Sequence, residues 1–131
     1  MIGGFVADLT ATLRLLDDDD SGDARLALDA IADQGHTLLL SAAAFTQALI
    51  IAEPTAERVM WLYGFRATKV ADHTGRESFR VAAQSRFAAR PHDVPLHQAH
   101  TAHLAASRGW PVLTADPAGW AGFDHLELVQ I

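Results

Sequence analysis

The sequence predicts an α/β protein, a three-layer α/β/α sandwich around a mostly parallel sheet of four to five strands. Short apolar runs of strand length alternate with longer segments in which apolar residues recur at helical spacing. The predicted order is β-α-α-β-α-α-β-α-α-β-β, which is typical of parallel strands joined by helical crossovers. The chain has 131 residues, enough for one domain with a substantial core. We therefore treat residues 1–131 as a single domain.

The first half of the chain predicts two strands, each followed by two helices. The apolar run Phe5–Ala7 ends at Asp8, and the leucines after it recur at helical spacing. Ser21 or Asp23 can cap the helix after an acidic loop, and Ser41 can cap the helix after the second strand. The predicted elements are strand 5–7, a helix through residue 16, helix 23–34, strand 38–40, helix 42–52 and a helix from Pro54 to Tyr63.

The second half predicts three more strands and two more helices. Residues 67–71 form a weak third strand, and a helix over residues 75–90 follows it. After a loop at residues 90–93, a helix over residues 96–107 leads into the short apolar strand 111–113. An Asp116-Pro117 turn and a closing strand within residues 126–131 complete the chain.

The composition excludes several classes of protein. Since the chain has no cysteine, it has neither disulfides nor a thiolate metal site. The N-terminus lacks the features of a signal peptide and no apolar run is long enough to span a membrane, so we expect a cytoplasmic protein without a membrane partner. The net charge of −6 argues against a protein that coats nucleic acid through a global positive field, although local basic faces remain compatible with it.

Two acids, Asp8 and Asp116, come at or just beyond the ends of apolar strands. In a parallel sheet such residues converge on one edge, where ligands bind. Carboxylates held close together there would form a Mg²⁺ or Mn²⁺ site, and the metal could activate water and hold a phosphate. The alternative is that each acid only caps the helix or turn that follows it.

Four pieces of the sequence match the pattern of a known family: F-V-A-D-L-T at 5–10, the segment 41–47, the helix 98–106 and P-V-L-T-A-D-P at 111–117. In these pieces the chain resembles PIN domains, specifically the small toxin-type (VapC-like) proteins. The resemblance covers essentially the whole chain, and the Thr-Ala-Asp-Pro segment with the alanine-rich helix before it is its specific part. It implies a metal-dependent endoribonuclease with Mg²⁺ or Mn²⁺, usually a homodimer and often neutralised by a small antitoxin protein.

The resemblance also implies a site of four acids, of which this chain retains two. Asp8 and Asp116 match the metal-ligand positions, whereas amides stand at the other two. Asp93, five residues before Gln98, is an alternative donor if the helix starts differently. The site residues implied in this way are Asp8, Thr10, Gln47, Gln98, Thr114 and Asp116.

Two amides change the chemistry of such a site. Two unit charges about 4 Å apart have an electrostatic interaction energy of about 4 kcal/mol at an effective dielectric near 20. The interaction of a unit charge with a divalent ion is about twice as large. Amide oxygens can still bind a hard cation, so the metal is expected to bind weakly or not at all. A glutamine cannot act as the general base for the attacking water. We therefore expect an impaired or inactive nuclease that retains binding to RNA or to a protein partner.

Two alternatives remain. One is an active Mg²⁺/Mn²⁺ endoribonuclease of a toxin–antitoxin system, in which Gln47 and Gln98 are neutral ligands or position water. The other is a purely structural subunit that dimerises through helix 42–52, which is apolar nearly all round.

Three further patterns have a structural and a functional interpretation. His97, His100 and His103 span about 120° of a helix and do not share a face with Gln98, which favours partly exposed or hydrogen-bonded histidines over a metal site. The run Asp17–Asp20 is typical of a solvated loop, with docking of a basic peptide as the alternative. The three tryptophans are too scattered for a stacking platform and are expected in the core or an interface.

If helix 75–90 is continuous, its arginines fall on one face together with two phenylalanines. Such a face suits phosphate contacts and base stacking. The alternative is that Phe79 and Phe87 are core residues surrounded by arginine side chains. The candidate RNA-binding residues are Arg76, Arg80, Arg86 and Arg90.

Overall fold

The structure, a computed structural model, describes residues 3–19 and 22–131. In this part of the chain a five-stranded, entirely parallel sheet lies between helices, which confirms the predicted three-layer α/β/α fold. The strand order is β3-β2-β1-β4-β5. The strands are β1 (Gly4–Ala7), β2 (Thr37–Ser41), β3 (Thr68–Ala71), β4 (Val112–Thr114) and β5 (Leu128–Gln130).

The helices follow the predicted order, with most bounds shifted by one or two residues. Gly22 precedes α2 as its N-terminal cap, while the proposed cap Ser21 and the acid Asp20 lie outside the described residues. None of the helices described here is long and apolar enough to cross a membrane. The helices are α1 (Leu9–Leu15), α2 (Asp23–Asp33), α3 (Ala42–Ala52), α4 (Ala56–Tyr63), α5 (Ser78–Ala83) and α6 (Leu96–Arg108).

The central strand β1 sits where the strand order reverses. It pairs with β2 on one side and β4 on the other, with Ala7 opposite Leu113. Ligands of parallel α/β sheets bind at this switch point, beyond the carboxyl ends of the strands. The residues that follow β1 and β4 are therefore where a binding site is expected.

The three central strands β1, β2 and β4 are largely buried on both faces, because their alternate residues enter two separate clusters. Val6 and Leu39 pack on one face with Trp120, and Ala7 and Leu38 pack on the other. The interior of these three strands is thus apolar, whereas the edge strand β3 carries an exposed lysine, Lys69.

The predicted continuous helix 75–90 is wrong. The segment contains the 3-10 turn Gly75–Glu77, then α5, then a second 3-10 turn, Gln84–Phe87, after which Ala88 is extended. Phe87 causes the break: its ring packs 4.0 Å from that of His125, between centroids, and its carbonyl lies against Gly122, where a Cβ would not fit. Tertiary packing here overrides helix periodicity.

Candidate functional site

Asp8 is a buried carboxylate whose two oxygens both accept hydrogen bonds. Oδ1 accepts from the Thr10 hydroxyl at 2.7 Å and from the Ala11 amide at 2.8 Å, so Asp8 caps α1. Oδ2 accepts from Nε1 of Trp120 at 2.8 Å. The residue is only 6% exposed. A buried carboxylate is stable when its charge is met by several donors in this way.

Two threonines join the end of β1 to the turn after β4. The Thr10 hydroxyl lies 3.2 Å from that of Thr114 and accepts a bond from the Ala115 amide. Because its single proton goes to Asp8, Thr114 must be the donor between the two hydroxyls. Thr114 in turn accepts from the Asp116 amide at 3.0 Å. These bonds hold the Asp116 backbone close to the carboxylate of Asp8.

Asp116 and Gln98 both meet the turn Pro117–Trp120 at Gly119. Asp116 is exposed, and none of the described residues hydrogen-bonds its carboxylate. That carboxylate lies beside Gly119, where a Cβ would be 3.0 Å from Oδ2. Nε2 of Gln98 donates to the Gly119 carbonyl at 2.8 Å, so the amide ties α6 to this turn.

These residues form a small cleft of about 160 Å³ at the carboxyl end of the sheet. The cleft therefore brings together three of the four positions implied by the resemblance. It does not include Gln47, which lines a neighbouring groove of about 640 Å³. The cleft is lined by Asp8, Leu9, Thr10, His97, Gln98, Asp116, Gly119 and Trp120.

His97 connects the cleft with the groove, since it lines both. For His97 this corrects the expectation that the histidine series does not share a face with the site around Gln98. Although His97 and Gln98 differ by about 100° around the helix, the cleft wraps around the first turn of α6 and reaches both. Burial lowers the pKa of His97, partly offset by the charge of Asp8, so the neutral imidazole predominates at pH 7.

His100 and His103 are buried inside the fold. Nδ1 of His100 lies 2.9 Å from the Ser41 hydroxyl, and Nε2 lies 3.9 Å from a carboxylate oxygen of Glu77. The His73 ring packs edge-on at 5.1 Å between centroids. Burial, followed by the charge effect of His73, lowers the pKa of His100 to about 4. His100 is therefore neutral at pH 7 and belongs to the interior.

The four arginines do not lie on one continuous helix. Arg86 lies over the ring of Phe87, and Arg90 pairs with Asp93 at 3.8 Å. Arg76 and Arg80 are exposed on and beside α5. Asp93, the alternative site donor, is in the turn Pro91–Asp93 and does not line the cleft.

Trp120 hydrogen-bonds to Asp8 in the cleft, although sequence reasoning did not assign it to this site. It is buried in the core at 4% exposure, and its polar edge is directed at Asp8. Its position four residues after Asp116, in the turn that follows β4, is the only signal in the sequence. A buried indole usually hydrogen-bonds, but its partner cannot be found from spacing alone.

Comparison of the chain with models of known protein families found no match, and neither did comparison with curated proteins. The resemblance to PIN domains is therefore carried by the residue patterns in this chain. Since a fold by itself does not imply a function, the functional argument depends on the geometry of the cleft.

Proposed function

We propose that the protein is a PIN-like, VapC-type protein whose acidic site no longer supports metal-dependent RNA cleavage, and that it retains RNA binding along the cleft and groove. One observation carries this proposal: the structural hydrogen bonds of Asp8 engage both of its carboxylate oxygens. An acid used in this way holds α1 and the turn after β4 in place.

The donor set of the cleft fits a resident Mg²⁺ or Mn²⁺ poorly. Mg²⁺ takes about six oxygen ligands in octahedral geometry and is usually held by one or two carboxylates, with water and substrate phosphates in the other positions. The carboxylate of Asp8 already accepts hydrogen bonds from Thr10, Ala11 and Trp120. Among the described residues of the cleft, Asp116 is the one carboxylate that accepts no such bonds. Gln98 contributes no charge, and its amide nitrogen is already bonded to Gly119.

The groove beside the cleft suits RNA better than it suits a cation. None of the residues that line it is acidic, so the lining itself adds no negative charge that would repel phosphates. Gln47, His73 and His97 offer amide and imidazole groups, which can hydrogen-bond to the edges of unpaired bases. A glutamine at position 47 removes a charge that would repel the RNA backbone in the absence of a metal.

A second copy of the chain is the partner that α3 favours. Over its 11 residues this helix has no charged side chain, and Ile50 and Ile51 are 64% and 53% exposed. An isologous contact places the same surface on both subunits, so an uncharged apolar face can meet itself without repulsion. Light scattering with Ile50→Glu tests this homodimer: the variant is expected to be a monomer and the unmodified protein a dimer.

The proposed function is tested by assaying binding and cleavage separately. A labelled single-stranded RNA should bind with equal affinity in Mn²⁺ and in EDTA, and calorimetry should detect no micromolar Mn²⁺ site. Asp116→Ala should leave any residual cleavage unchanged, as should the matched control Asp124→Ala, another exposed acid. Mn²⁺-dependent cleavage that Asp116→Ala abolishes and Asp124→Ala preserves would establish an active nuclease instead.

A further inference from the structure

Phe79 is the most exposed large apolar residue among those described, at 89%. It lies in the first turn of α5, with Arg80 next to it and Arg76 three residues earlier. Residues three and four positions apart in consecutive helical turns are neighbours on the surface, so Arg76 lies on the same side as Phe79 and Arg80. An exposed phenyl ring beside two exposed guanidinium groups is therefore a defined surface, which we call the Phe79 face (Arg76, Phe79 and Arg80).

The opposite side of the same segment is anchored to the protein. Val81 is only 2% exposed, and Ser78 and Ala82 line a groove toward α6. Glu77, the only acid in residues 75–83, points toward His100 at 3.9 Å. Because this acid is turned inward, the Phe79 face carries two positive charges with no acid of its own segment beside them.

The other two arginines are engaged elsewhere. Arg86 lies over Phe87, which belongs to the core, and Arg90 pairs with Asp93. The Phe79 face is thus distinct from the four-arginine surface expected for a continuous helix.

We propose that the Phe79 face is a stacking platform for an unpaired base of single-stranded RNA, with Arg76 and Arg80 on the adjacent phosphates. This inference rests on the proposed RNA binding and names where the RNA is held outside the cleft. An aromatic ring stacks on any base, while flanking arginines attract the backbone. Single-stranded RNA is the ligand, because a duplex keeps its bases stacked internally. On a chain of net charge −6, a polyanion requires such a local positive site.

The test measures binding of a fluorescent oligouridine of about ten nucleotides by anisotropy, a length within the range of single-strand sites. Phe79→Ala should weaken binding about fivefold to 150-fold, the effect of losing one stacked base, and Phe79→Trp should preserve it. Arg76→Ala with Arg80→Ala should lower the slope of log affinity against log salt by about 1.4, from two phosphate contacts on a single strand.

Two controls match these variants. Met60→Ala removes another large apolar side chain that is 65% exposed, and Arg90→Ala removes an arginine that is 86% exposed. Both should bind RNA as the unmodified protein does. Circular dichroism of each variant checks that it is folded, which is expected because the altered side chains are exposed.

The outcomes separate this inference from the proposed function. If the unmodified protein binds RNA and Phe79→Ala binds equally well, the platform is wrong and the cleft remains the RNA site. If the unmodified protein does not bind RNA, both proposals fail. If a polyglutamate peptide binds with the same dependence on Phe79 and the arginines while RNA does not, the face belongs to an acidic protein partner and the RNA platform is overturned.

Discussion

Nε1 of Trp120 lies 2.8 Å from Oδ2 of Asp8, although the two residues are 112 positions apart. This bond joins the end of β1 to the turn after β4, across the strand pair at the switch point of the sheet. A hydrogen bond to a charged group contributes about 1.5–3 kcal/mol when it is buried and well formed. Asp8 is consequently part of what holds the carboxyl edge of the sheet together.

We predict that Trp120→Phe destabilises the fold through this bond. Phenylalanine keeps an aromatic ring in the core, but it removes the N–H donor and some volume, so the free energy of unfolding should fall by about 2–4 kcal/mol. Urea unfolding of Trp120→Phe, Asp8→Ala and the double variant isolates the bond as a coupling energy of about 1.5–3 kcal/mol. Additive effects would show that Trp120 acts through packing alone.

The two acids of the cleft should respond differently to removal. Asp8→Ala eliminates the cap of α1 and leaves the Trp120 N–H without a partner, so the free energy of unfolding should fall by about 3 kcal/mol. Asp116→Ala removes an exposed side chain and should change it by less than about 0.5 kcal/mol. Urea unfolding of both variants measures the difference. Equal losses would contradict the structural role assigned to Asp8.

The fold class could be predicted because alternating apolar runs and helical periods are local signals. The position of Asp8 at the end of β1 followed in the same way, since an acid directly after an apolar run caps the next helix. The prediction extended to the convergence of Asp8 and Asp116, because parallel strands bring their carboxyl ends to one edge. Gln98 was expected beside them only from the resemblance to PIN domains.

The features that could not be predicted depend on contacts distant in sequence. Phe87 ends the helical segment because it packs against residues 123–125, nearly 40 positions later. Gln47 faces the neighbouring groove and His97 reaches the cleft, and both outcomes depend on how α3 and α6 pack beside the sheet. Helical spacing specifies the face of a residue but not the neighbour that this face meets.

Introducing an acid should raise metal affinity more at position 98 than at position 47. Gln98→Asp places a second carboxylate in the cleft with Asp116, so Mn²⁺ affinity should rise by about tenfold to 100-fold. Gln47→Glu alone should change it by less than about threefold, because Gln47 lies in the groove. Calorimetric titration measures both, with Gln34→Glu, at an exposed position after α2, as the control for added charge. No gain from Gln98→Asp combined with Gln47→Glu would mean that the cleft does not derive from a metal site.

The buried His100 should make the fold sensitive to acid. Its pKa is lowered to about 4 in the folded protein and is about 6.5 in the unfolded chain, so between these values the unfolded state binds more protons. Stability from this group is therefore fully present above pH 6.5 and is lost as the pH falls toward 4, by about 3 kcal/mol in total. Glu77 opposes the shift, while His73, His103 and Arg108 reinforce it.

This pH dependence is measured by urea unfolding of the protein and of His100→Gln between pH 7.5 and 4.5. Glutamine does not titrate and can still hydrogen-bond to Ser41, so the loss of stability over this range should be smaller in the variant by about 2–3 kcal/mol. The readout is the slope of the free energy of unfolding against pH. This slope does not depend on any constant destabilisation that the substitution causes. His92→Gln, at an exposed histidine, should keep the full slope. Parallel curves for the unmodified protein and His100→Gln would show that His100 is not the group that titrates.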